Sequence, residues 1–158
     1  MSGSGAVPQD NGPQMSKDAA DEVSGYLQHR SRDEQIAWNL DIWRWSWGNK
    51  YPFPAEWIIE CLGHAYDRSY NPEGNARLLH ALISTQGLWD AQKKISCPTL
   101  VMHGGEDPVF SHEHGEAIAA RIHNAELWLD QKMGHIMHQE QWEDMASRVA
   151  KLAGLTLR

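Results

Sequence analysis

Apolar residues recur at helical spacing through the first half of the chain and gather into short continuous runs from Ile95 onward. The helical half carries clear start signals. At 31–34, "SRDE" matches a capping box, in which Ser31 accepts from the Glu34 amide while Glu34 reaches back. Behind it Ile36, Leu40, Trp43 and Trp47 form one stripe and Trp38, Ile42 and Trp45 another. Most of this helix is therefore apolar, and it is expected to be covered on two sides until Gly48 and Asn49 end it. Pro54 suits a first helical position, and Trp57, Ile58, Cys61, Leu62 and Ala65 follow at helical spacing. Asn71 as cap and Pro72 in the first turn open a further helix carrying Leu79, Leu82 and Ile83. With the weakly helical stretch 16–30, four helices are expected.

The pattern then changes. "CPTLVMH" predicts a strand near 98–103 buried on both faces, and "AELWL" a second at 125–129. Ser111 is placed to cap a helix between them, and Trp142, Met145, Val149 and Leu152 make the last helix amphipathic. Strand, helix, strand, helix is the order of a small parallel sheet. The expected fold class is α/β: a disordered or extended start over 1–15, a helical part over 16–92, and a two-stranded parallel β-α-β-α unit over 93–158.

Composition narrows the function. A chain of 158 residues, 41% hydrophobic, fits one domain. No run approaches about 18 apolar residues, and "MSGSGAVPQDNGPQ" lacks a basic head and an apolar core. Neither a membrane partner nor a signal peptide is expected, which suggests a soluble, cytoplasmic chain. A net charge of −7 with 14 scattered Lys and Arg argues against a nucleic-acid partner. Cys61 and Cys97 alone exclude a disulfide framework. His103, His112, His114, His135 and His138 raise a metal reading. His112 and His114 would sit about 200° apart on a helix, and no H-E-x-x-H or Cys pair joins them, so no metal and no cofactor is expected.

Two loops carry the candidate chemistry, "GGEDPVF" after the first strand and "DQKMGHIMH" after the second. Ligands of open parallel sheets bind beyond the carboxyl ends of strands, which puts Asp107 and His135 on one edge. An Asp that fixes a His tautomer is the rear half of a nucleophile–His–acid triad. Taken singly, such an Asp is most often a turn former and such a His ordinary surface or core. Glu106 is the rival acid, and strand alternation favours Asp107.

"CPTLVMHGGEDPVFSHEHGEAIAARIHNAELWLDQKMGHIMHQEQWEDMASRVA" resembles the C-terminal end of an α/β-hydrolase. In that family H-G-x-x-D-P brings in the triad acid and G-M-G-H the histidine. The resemblance assigns these roles to Asp107 and His135, with Lys132 standing where the family usually has glycine. "FPAEWIIECLGHAYDRSYNPEGNARLLHAL" resembles the helical cap of the aclacinomycin-methylesterase-like branch. Caps of this kind form an apolar pocket over the sheet edge, which makes Trp43, Trp45 and Trp47 candidate substrate-binding residues besides being candidate core.

The family's nucleophile motif, G-x-S-x-G on a strand-to-helix elbow, does not occur in this sequence. "RWSWG" around Ser46 comes nearest, but Arg44 replaces the first glycine, and Ser46 is expected to be helix surface or core. "MSGSGAVPQDNG" resembles the segment where the family's chain leaves its sheet for the cap, placing Met1 downstream of the nucleophile. The resemblance thus implies part of a serine-type hydrolase, with a small apolar ester as substrate and the upstream half of the same fold as partner. The alternative is a non-enzymatic fragment or accessory chain.

Overall fold

The computed structural model describes residues 17, 18, 25, 28–85 and 87–155, without the side chains of 79, 82 and 83. The expected 1–15 start, most of the 16–30 helix and the Leu79, Leu82 and Ile83 side chains lie outside the described residues.

Helix α1 (Arg32–Trp45) begins where the capping box places it, with Glu34 accepting from the Ser31 amide at 2.9 Å and from its hydroxyl at 2.6 Å. It stops short of the expected glycine. The Ser46 amide and hydroxyl both donate to the Ile42 carbonyl, at 3.0 and 2.8 Å, and the chain then leaves the helix. That early exit turns Trp47 into a core with Ile58 and Leu62, against which Ile36, Leu40, Trp43, Phe53, Trp57 and Ile136 pack. On the other stripe Trp38 lies under the Arg30 guanidinium.

Helix α2 (Ala55–Ser69) packs along α1, and Arg32 spans them with a two-pronged bond to Asp67, 2.7 and 2.8 Å. Helix α3 (Pro72–Ser84) starts on Asn71, whose side chain accepts from the Gly74 amide at 2.8 Å. A single turn, α4 (Leu88–Ala91), follows; no pattern in the sequence announced it.

Strand β1 (Leu100–Gly104), helix α5 (His112–Arg121) and strand β2 (Glu126–Asp130) form the parallel unit, with Met102 beside Trp128 and Gly104 beside Asp130. Helix α5 packs on both strands. Gly115 lets it do so, because a Cβ there would lie 2.7 Å from the His103 Cβ. Helix α6 (Trp142–Leu152) buries Met145 and Ala150 but leaves Trp142 and Val149 about half exposed, so the expected apolar face is only partly covered. Among the described residues, no helix is long and apolar enough to cross a membrane.

Candidate active site

The exit of β1 builds the acid side. Gly105 donates to the Asp130 carbonyl (2.7 Å) and Glu106 to that of Met133 (3.0 Å), which ties this turn to the loop after β2. The Glu106 carboxylate accepts from the Asn49 amide and side chain, at 2.9 and 2.8 Å, and is occupied there. Asp107 is buried, its side chain 4% exposed. Its Oδ1 accepts from the Val109 and Phe110 amides, at 2.8 and 3.0 Å, an Asx-type turn that leaves Oδ2 for another donor.

That donor is His135. Its Nδ1 lies 2.8 Å from Asp107 Oδ2. The loop carrying it is laid against the segment after α1: Asn49 donates to Lys132 (3.1 Å), Gly134 to Trp47 (3.2 Å) and His135 to Ser46 (2.8 Å). The approach requires glycine. A Cβ on Gly134 would stand 2.2 Å from the Ser46 carbonyl oxygen, and one on Gly104 would stand 2.1 Å from that of Gly134. Lys132 takes part in the crossing through its carbonyl, so its side chain does not disturb it. Asp130, at the end of β2, is held by Lys50 and by Gln141 (2.6 Å to Nε2).

Electrostatics favour a charged Asp107. Burial pushes its carboxyl up, but the bonds from His135, Phe110 and Val109 and the His135 charge outweigh that and hold it below the ordinary carboxylate range. A carboxylate only accepts, so Nδ1 of His135 carries the proton and Nε2 of the neutral ring is left bare and basic. Nε2 has no hydrogen-bond partner among the described residues, and the side chain is 26% exposed. An imidazole held in this way can take a proton at Nε2 while the carboxylate stabilises the imidazolium that forms.

The other candidate residues take different places. Trp47 is 3% exposed, donates to the Tyr51 carbonyl (3.0 Å) and lies against the His138 ring. Trp43 is partly buried on the same core, and Trp45 is 38% exposed. Trp43 and Trp47 thus share one core, and Trp45 is the most exposed of the three. Ser46 is buried at the end of α1. His112 is exposed beside Glu113, His114 is buried beside Phe110, and His138 donates to the Trp47 carbonyl at 2.8 Å. Sequence reasoning weighed His103 only as a metal ligand and missed its contact behind Asp107, where its Nε2 is 3.0 Å from the Phe110 carbonyl. Its position in the apolar run "TLVMHGG" was the available signal.

The sequence matches no protein-family model and no curated protein. Solved structures do match. A hydrolase from Pseudomonas aeruginosa PA01 superimposes with a TM-score of 0.61 at 22% identity, over 90% of this chain and 52% of its own. An enol-lactonase from Burkholderia xenovorans LB400 gives 0.65 at 17% identity, over 89% and 52%. An esterase from Exiguobacterium antarcticum gives 0.61 at 20%, over 86% and 47%. The fold is that of part of an α/β-hydrolase. The chain spans about half the length of the structures it matches, with the parallel pair β1–β2 as its sheet.

Proposed function

We propose that the chain is the C-terminal portion of a serine-type α/β-hydrolase acting on a carboxylic ester of an apolar substrate. Asp107 is the triad acid and His135 the base. The single observation that carries this reading is the 2.8 Å bond from His135 Nδ1 to a buried Asp107, beyond the carboxyl ends of two parallel strands. In the reaction Nε2 removes the proton of a serine hydroxyl as it attacks the ester carbonyl. The same proton then goes to the leaving alcohol, and the acyl group passes to water in a second round. The serine belongs to the half of the fold that the matched structures have and this chain does not span. Half-exposed Trp45, next to the Ser46–His135 crossing, is the best placed of the three tryptophans to meet an apolar substrate.

One observation favours a second reading, a non-enzymatic accessory chain: the sequence contains no G-x-S-x-G. A fluorophosphonate probe and p-nitrophenyl esters separate the two. The chain alone is expected to give neither labelling nor turnover. Joined to an upstream α/β-hydrolase half bearing the nucleophile, it should give both, with the label on the upstream serine and lost in His135→Ala. Labelling of a serine within this chain would sink the proposal, and silence of the joined protein would favour the accessory reading.

A further inference from the structure

The Asp107 carboxylate has a second histidine behind it. His103, the fourth residue of β1, is 13% exposed and directs Nε2 at the Phe110 carbonyl (3.0 Å), with Asp107 Oδ2 at 3.8 Å. A carbonyl only accepts, so Nε2 of His103 carries the proton and commits it to Phe110. The longer distance lies outside hydrogen-bond range, so His103 does not compete with His135 for Oδ2. The ring has little freedom. On the α5 side it lies against Gly115, where an added Cβ would be 2.7 Å from its Cγ and 3.1 Å from its Nδ1.

We propose that His103 is a positioning residue for the Asp107–His135 couple. Its Nε2–H holds the Phe110 carbonyl and with it the loop 107–110. The Val109 and Phe110 amides of that loop grip Oδ1, and this orients Oδ2 towards Nδ1 of His135. His103 thus acts through two intermediates and touches no reacting atom.

The inference rests on the reading of Asp107 and His135 as a working couple, and its test reads the couple itself rather than turnover. Nitrogen-15 NMR of histidine-labelled chain, in solution or sedimented, reports which ring nitrogen of each histidine bears the proton, and His135→Gln identifies the His135 signals. At a pH where the rings are neutral, the native chain should show His135 as the Nδ1–H tautomer. In His103→Leu, which has no donor, and His103→Asn, whose amide falls short of the Nε2 position, the Nδ1–H to Nε2–H ratio of His135 should drop about fivefold or more. His103→Gln, whose amide nitrogen reaches that position, should retain it. An unchanged ratio in Asn and Leu, or a drop in all three, overturns the proposal. If the Leu variant does not fold, the Asn and Gln pair decides. A chain that never labels with fluorophosphonate still reports its tautomer, so the two proposals fail separately.

Discussion

Asp107 Oδ2 and His135 Nδ1 stand 2.8 Å apart although 28 residues separate them in sequence. An acceptor-only carboxylate on one side sets the ring on the other to present a bare Nε2. Asp107→Asn keeps the shape and replaces one carboxylate oxygen with a donor, which favours the wrong tautomer. In a protein joined to its nucleophile half, kcat for ester hydrolysis should fall about 10⁴-fold, with KM little changed. A loss below about tenfold would remove Asp107 from the triad.

Acid should destabilise the fold from two groups with the same sign. Asp107 has a folded pKa held below its ordinary value, so its contribution is complete above the ordinary carboxylate range and is lost as pH falls through the folded value. His114 is 1% exposed with neither ring nitrogen partnered among the described residues. Burial, then the His103 charge, hold its pKa down against the pull of Asp107. Its contribution is therefore complete above about 6.5 and declines as the unfolded chain takes up the proton below that. Thermal melts should show Tm falling between pH 7 and pH 5. His114→Leu should flatten that slope at little or no cost at pH 7, since it removes two unpaired buried polar atoms. An equally steep slope in the variant would assign the acid sensitivity elsewhere.

Gly134→Ala should cost roughly 1–3 kcal/mol in denaturant melts. The obstruction is backbone, the Ser46 carbonyl oxygen at 2.2 Å, and cannot rotate away. Gly154→Ala is the reverse case, a positive φ of +68° with nothing near its Cβ, whereas Gly134 meets the clash without a positive φ. A loss at 134 below about 1 kcal/mol would mean the crossing is looser than its geometry.

The tryptophans should divide by burial. Trp47→Ala empties the core against Ile58 and Leu62 and should destabilise by about 3–5 kcal/mol. Trp45→Ala should change stability by less than about 1 kcal/mol and, in a nucleophile-bearing protein, shift the preference between large and small esters. A Trp45→Ala protein with native preference would end its substrate role.

Local signals were legible and long-range ones were not. Ser31 and Asn71 with Pro72 mark helix starts through their own side chains and neighbours, Ser111 marks one by position without a side-chain cap bond, and the strand runs needed only continuous apolarity. The paired positions of Asp107 and His135 followed from strand polarity. The end of α1 did not follow. The stripe through Trp47 continues at helical spacing, yet the Gly48–Met133 bridge draws the chain away, and a contact between residues so distant leaves no local trace. The exposure of Trp142 and Val149 was equally hidden, because an amphipathic pattern states which face is apolar and not what covers it.

The crossing of Gly48, Gly104 and Gly134 also bears on how such proteins can be recombined. Exchange of the whole helical part is the obvious recombination, and a splice just before β1 looks natural in the sequence. The segment Ser46–Asn49 nevertheless supplies carbonyls and amides to the loop of His135 and a clamp for Glu106. A transplanted helical part therefore brings its own setting for the histidine. Chimaeras that keep the native 46–49 stretch with the β1–β2 unit should retain the His135 geometry, whereas those that exchange it would shift the histidine while appearing to change only the helices.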